Sequence, residues 1–265
     1  MNSKEEFTIQ MKTKVAEIEE ILKRYLPEAE GYQKVIMEAM EYSLMAGGKR
    51  LRPMLMQETC RLFGEEPETL KPFMAALEMI HTYSLVHDDL PAMDNDEYRR
   101  GKLTTWKVYG ECMAILAGDG LLNFAFETAS NAFRMVDKEY GTDPAQQLKT
   151  YRAVGRSMQI LSKKAGIYGM IGGQTADIEA EGRNDLTEEL LLFIHEHKTA
   201  ALMECAMMIG AALAGASQSD IEKMERAASN IGIAFQIQDD ILDITSTTEV
   251  LGKPVGSDEK NHKLT

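Results

Sequence analysis

Apolar residues recur at helical spacing almost from the start of the chain. Phe7, Met11, Ile18 and Leu22 mark one face, behind a Ser3 and Glu6 pair spaced as a capping box. Pro27 stops that first helix, because a proline inside a helix removes a donor and clashes with the preceding turn. The same periodicity predicts helices over 31–46, 51–63, 68–90, 103–136, 144–164, 166–181, 187–214 and 217–245, punctuated by Gly47-Gly48, Pro67, Pro91, Gly141, Gly182 and Gly215. No segment alternates apolar and polar residues as a surface strand does. Long helices joined by short polar turns predict an all-α fold, a single-domain helical bundle over 1–265 with its ligand sites between facing helices.

Composition narrows the partners. With 265 residues, 44% of them hydrophobic, the chain can bury one large core. A net charge of −13 repels polyanions at long range and argues against nucleic-acid partners or an anionic membrane surface, so any phosphate site must be a local basic cluster. Cys60, Cys112 and Cys205 are odd in number, far apart and without a CxxC pair, which fits a reducing cytosol rather than a disulfide framework or zinc site. The start Met1-Asn-Ser-Lys-Glu-Glu lacks the basic and apolar regions of a signal peptide, and no run of about 18 apolar residues occurs. The expectation is a cytoplasmic protein without membrane insertion.

Two acidic motifs lie inside apolar helices. His81-Thr-Tyr-Ser-Leu-Val-His-Asp-Asp-Leu-Pro-Ala-Met-Asp94 places Asp88, Asp89 and Asp94 at the end of one helix. Pro91 limits its continuation, so a helix ending there lets Asp94 fold back towards Asp88. Phe235-Gln-Ile-Gln-Asp-Asp-Ile-Leu-Asp243 sets Asp239 and Asp243 one turn apart on one face, with Asp240 beside them. Carboxylates in apolar surroundings are costly to ionise without a positive partner, and hard dications suit clustered carboxylate oxygens. Mg²⁺ prefers few protein ligands plus phosphate oxygens, so two such clusters facing each other across a bundle are suited to holding a diphosphate through metal.

The basic groups a diphosphate requires are also present. Gly47-Gly-Lys-Arg-Leu-Arg-Pro53 brings Lys49, Arg50 and Arg52 to a helix start, where cations conflict with the helix dipole and an anionic ligand relieves the conflict. Arg99 and Arg100 follow the first acidic motif, either as ordinary ion pairs or as bidentate phosphate ligands. His195 and His197 point to different faces of a helix, which disfavours a two-His metal site and turns attention to Lys198. Lys253 sits on a Gly- and Pro-rich loop able to close over an anion. Walker, dinucleotide, HExxH and GxSxG motifs are all missing from the sequence. Gly166, Gly169, Gly172 and Gly173 read as close helix packing, and the 18 methionines as adaptable core filling.

At these residues the chain resembles the trans-prenyltransferase (polyprenyl diphosphate synthase) family, and within it the bacterial farnesyl diphosphate synthases. The resemblance rests on GGKRLRP at 47–53, HTYSLVHDDLPAMD at 81–94, RRG at 99–101, GGQ at 172–174, HKT at 197–199, FQIQDDILD at 235–243 and GSDEKN at 256–261. It implies the isoprenoid synthase fold, a bundle around a central cavity, usually a homodimer. It implies that Lys49, Arg52, His81 and Arg100 bind isopentenyl diphosphate, while Arg99, Lys198, Thr199, Gln236 and Lys253 surround the allylic diphosphate and its developing cation. Asp88, Asp94 and Asp239 become the main Mg²⁺ ligands, with Asp89, Asp240 and Asp243 in support and three ions expected. Tyr83 lies five residues before Asp88, about 7–8 Å down a helix, and with Ser84 resembles the family's floor for a fifteen-carbon product. A geranylgeranyl or longer-chain synthase, a terpene cyclase and a non-catalytic subunit on the same scaffold are the alternatives. Relatives continue with helical sequence beyond the position of Thr265, and the end of this chain there reads as a natural end, a truncation or an incompletely represented tail.

Overall fold

The structure, a computed structural model, describes residues 3–181, 183, 185 and 187–245. Among these, the chain runs through α1 (Ser3–Arg24), α2 (Lys34–Leu44), α3 (Leu51–Phe63), α4 (Leu70–Asp88), α5 (Thr105–Tyr109), α6 (Glu111–Tyr140), α7 (Pro144–Ala165), α8 (Met170–Ala180), α9 (Glu188–Ile194), α10 (Ala201–Leu213) and α11 (Gln218–Thr245). The fold is all-α, as the periodicity predicts. No described helix is long and apolar enough to cross a membrane.

α4 is the axis of the bundle. Its residues are buried around most of its circumference, as expected of a core helix rather than an amphipathic surface one. Phe73, Met74, Leu77, Met79 and Ile80 are completely buried, each worth about 1.5–3 kcal/mol when removed from water. α6 lies along it through Ala114, Ala117, Gly118, Leu121, Ala125, Ala129 and Ala132, a stripe at three- and four-residue spacing whose small side chains let the two helices close together. α3 and α10 pack on α4 and on each other, and α11 lies against α10. Asp143 caps α7 by accepting from the amides of Ala145 and Gln146, with Pro144 in the first turn where its missing N–H costs nothing.

Three local features differ from the periodic reading. Tyr98–Arg99 and Lys102–Leu103 form a two-stranded antiparallel ladder, β1 and β2, too short for alternation to register. The span 103–136 is not one helix, because Gly110 takes a φ of 85° and separates α5 from α6. The span 187–214 is interrupted by a π-helical turn, His195–Ala200, between α9 and α10. Such a turn carries one extra residue per hydrogen-bonded ring and is frequent at functional sites.

Candidate active site

The first acidic motif folds back as the spacing suggests. α4 ends at Asp88, and the chain turns through Leu90–Met93 so that the Asp94 amide donates to the Asp88 carbonyl at 2.8 Å. Asn95 closes the turn with its amide on the Leu90 carbonyl at 3.1 Å and a φ of 54°, a left-handed geometry that asparagine tolerates. Gln174 on α8 donates to Asp88 Oδ1 at 2.8 Å. Asp89 points inward, where burial pushes its carboxyl up to about 7 against the lowering pull of Arg99. Arg99 is itself held above its usual pKa by Asp89, and its Nε donates to Asp89 Oδ1 at 2.6 Å. Both pKa values move up, which favours a neutral Asp89 but a charged Arg99, and the direct hydrogen bond decides: Arg99 stands as a cation tied to Asp89.

Below Asp88 lies an apolar cavity of about 650 Å³. Tyr83, Ser84 and His87 of α4 line it opposite Ile115, Asp119 and Leu122 of α6, while Met170, Ile171, Gln174 and Ile178 of α8 close a further side. Tyr83 is only 6% exposed, and burial, then the Asp88 charge, lifts its phenol to about 12. Its ring therefore faces the cavity as a neutral apolar wall.

A second cavity of about 580 Å³ is lined by Lys49, Arg50, Arg52, His81, Arg99, Arg100, Gln236 and Asp239, among others. Arg52, His81, Leu85 and Thr199 line both cavities, so one layer of side chains separates them. Cations dominate the second. Burial first, then Arg52, Arg100, Arg99 and Arg50, holds the His81 imidazole well below its usual pKa. Burial likewise lowers Arg52, whose Nε is buried without a hydrogen-bond partner among the described residues. Arg100 donates to the Gly47 carbonyl across Gly48, where a Cβ would stand 2.7 Å from its guanidinium, so the second glycine of the pair makes room for this arginine. Lys49 Nζ lies 5.9 Å from the Phe235 ring centroid. A positive field over so many buried groups favours an anion.

Arg50 does not belong to that open set of cations. Its side chain is fully buried, pairs with Glu78 at 2.9 Å and Glu19 at 3.3 Å, and donates to the Leu44 carbonyl at 2.8 Å. Two carboxylates from α4 and α1 thus neutralise Arg50, one of the three cations that the sequence reading set at the α3 start. The sequence held a sign of it, since Glu78 is the one acid between Leu70 and His87.

The π turn presents the remaining polar groups. Lys198 pairs with Asp177 of α8 at 2.5 Å, and the Thr199 hydroxyl donates to Gln236 Oε1 of α11 at 2.8 Å. Glycines let both helices approach it: a side chain at Gly173 would overlap the backbone of His197 and Lys198, and one at Gly232 would overlap Ala200. His195 is buried, whereas His197 is half-buried and stacked on Phe193 with centroids 3.9 Å apart. Asp177, buried behind Lys198, carries no role in the sequence reading. The side chains of Asp240 and Asp243, and Lys253 as a whole, lie outside the described residues.

The donor set suits a hard dication. Asp88 lines one cavity and Asp239 the other, and Asp94 is tied to Asp88 through its backbone. Carboxylate oxygens such as these are the hard donors Mg²⁺ takes, one or two at a time, with water and phosphate oxygens completing its octahedron.

A helical bundle holding an apolar cavity under carboxylates, beside a cationic one, defines a protein for molecules with an anionic head and a hydrocarbon tail. Residues 33–265 match the polyprenyl synthetase family. The chain belongs to that family, the trans-prenyl diphosphate synthases. It is 47% identical over 248 residues to a farnesyl diphosphate synthase of Geobacillus stearothermophilus, covering 94% of this chain and 79% of the relative. It is 48% identical over 249 residues to a geranylgeranyl diphosphate synthase of Cyanophora paradoxa, covering 94% and 78%. A solved geranyltransferase of Helicobacter pylori, complexed with magnesium and isoprenyl diphosphate, superposes with a TM-score of 0.80 at 31% identity over 94% of this chain and 79% of that one. Relatives named for two product lengths fix the reaction class and leave the length to this chain's own cavity.

Proposed function

We propose that this chain is a Mg²⁺-dependent prenyltransferase that joins isopentenyl diphosphate head to tail with dimethylallyl and then geranyl diphosphate, giving (2E,6E)-farnesyl diphosphate. The observation that carries the reading is the pair of cavities sharing the residues Arg52, His81, Leu85 and Thr199, with Tyr83 among the residues lining the apolar one. Lys49, Arg52, His81 and Arg100 hold the isopentenyl diphosphate in the cationic cavity. Arg99 and Lys198, with Lys253, hold the allylic diphosphate above the apolar one.

Bound through Asp88, Asp94 and Asp239, with Asp89, Asp240 and Asp243 in support, Mg²⁺ ions, three in the full complement, would neutralise charge on the departing diphosphate. The allylic C–O bond breaks, the isopentenyl double bond attacks the allylic carbon, and a proton passes to the released diphosphate as the new double bond forms. The oxygens of Thr199 and Gln236 supply dipoles towards the developing positive charge, and the apolar walls exclude the water that would otherwise trap it.

The test is a Mg²⁺-dependent assay of the purified chain with isopentenyl and dimethylallyl diphosphates, resolving products by carbon number. A mainly fifteen-carbon product from the natural chain, lengthening in Tyr83→Ala, supports the proposal. A twenty-carbon or longer product from the natural chain keeps the chemistry and removes Tyr83 as the floor, and no condensation removes the reading.

A further inference from the structure

We infer that His87, seated in a notch left by Gly118, is a second constriction of the apolar cavity that governs whether tails longer than five carbons are admitted. This rests on the diphosphate reading above and deepens it.

His87 stands one turn beyond Tyr83 on the same face of α4, and the two rings meet edge to face with centroids 5.8 Å apart. Helical side chains lean towards the helix N-terminus, so the imidazole lies between the Asp88 end of the cavity and Tyr83, where a tail must pass. Both rings line the cavity. The imidazole Nε2–H donates to the Ile115 carbonyl of α6 at 3.1 Å, and Asp119 Oδ1 lies 3.9 Å from the same nitrogen. A Cβ at Gly118 would overlap three atoms of the imidazole. The ring is thus parked against α6 only because residue 118 has no side chain. A glycine inside a long helix is less favourable than alanine, and here the space it leaves is filled by a ring that would otherwise occupy the cavity. Displaced from the notch, the ring moves away from α6 and into the path of the tail, since Tyr83 blocks it below.

The experiment measures binding of thiolo analogues of dimethylallyl and geranyl diphosphate, whose C–S bonds resist ionisation, by calorimetry with Mg²⁺ present. The five-carbon analogue keeps the headgroup and stops short of the constriction, so it controls for damage beside Asp88. Gly118→Ala is expected to weaken the geranyl analogue about tenfold or more while leaving the dimethylallyl analogue within about twofold, the scale on which an apolar pocket discriminates by fit. His87→Ala placed on Gly118→Ala is expected to restore geranyl binding. Should Gly118→Ala not fold, His87→Phe puts a larger ring in the same notch and carries the same expectation of selective geranyl loss. Equal weakening of both analogues, unchanged geranyl binding, or no restoration in the double variant overturns the inference. A natural chain that binds neither analogue removes the diphosphate reading and the constriction with it, an outcome distinct from binding both without a response to residue 118.

Discussion

Asp94 is bound to Asp88 through the backbone, its amide on the Asp88 carbonyl at 2.8 Å, so two carboxylates six positions apart share one end of α4. The turn between them does what no regular helix allows at that spacing. Because the link is main-chain, removing either charge leaves the turn in place. Asp88→Asn and Asp94→Asn are each expected to raise the Mg²⁺ concentration needed for half-maximal activity by about tenfold or more, the loss that even supporting groups of a metal site cause. Circular dichroism and thermal midpoint should change little. A metal requirement unaltered in both variants would place the ions elsewhere.

Arg50 and Glu78 give the opposite expectation. Removing one partner of a buried pair strands the other charge, at a cost of about 3–5 kcal/mol. Arg50→Ala and Glu78→Ala should each lower the urea midpoint accordingly, whereas Lys49→Ala should leave stability within about 0.5 kcal/mol, the ordinary range for a surface change, and raise the KM for isopentenyl diphosphate instead. Equal stability of all three variants would contradict the division of labour between neighbouring cations.

That division also marks where the sequence stopped being legible. The 51–63 helix and the returning Asp94 follow from local spacing, because periodicity and proline act over a few residues. The partner of Arg50 lies 28 positions away on α4, and nothing local to residues 47–53 distinguishes a cation facing Glu78 from one facing a phosphate. The π turn was hidden for a different reason. One added residue turns the following face by about 100°, but α10 is buried on nearly every side, so the shift leaves no mark on the apolar pattern. The short ladder at Tyr98–Leu103 lacks the length for alternation to appear.

Gly173 and Gly232 make a prediction of their own. Gly173→Ala or Gly232→Ala pushes a helix away from the turn that carries Lys198 and Thr199, and a displacement of about 1 Å at reacting groups can cost roughly 100-fold in rate. The expected result is a fall in kcat of that order, with dimethylallyl thiolodiphosphate still bound. Full activity in both variants would show that the turn accommodates the added methyl without moving its side chains.

His81 supplies the pH dependence. Its pKa is depressed in the folded chain, so the fold favours the neutral ring, and the associated stability is present above the unfolded value of about 6.5 and lost as pH falls below it. Urea midpoints of the ligand-free protein should therefore drop between about pH 7.5 and pH 5.5, and less so in His81→Gln. Binding of pyrophosphate offsets the field of the surrounding arginines, raises the imidazole pKa and draws in a proton. Calorimetry near pH 6 in two buffers of different ionisation enthalpy reads that uptake; the same proton count in the natural chain and His81→Gln would assign it to another group.

The single layer formed by Arg52, His81, Leu85 and Thr199 has a bearing on repeated synthesis. Under the proposed function, the lengthened chain carries its headgroup on the cationic side after one condensation, while the next round requires it beside Asp88 and Asp94. With only side chains between the two, the headgroup can be handed across in one short sideways step as its tail slides deeper, without release into water. On the proposed assignment of the two headgroups, a wall this thin turns the site into a ratchet, its number of steps limited by the depth available to the tail.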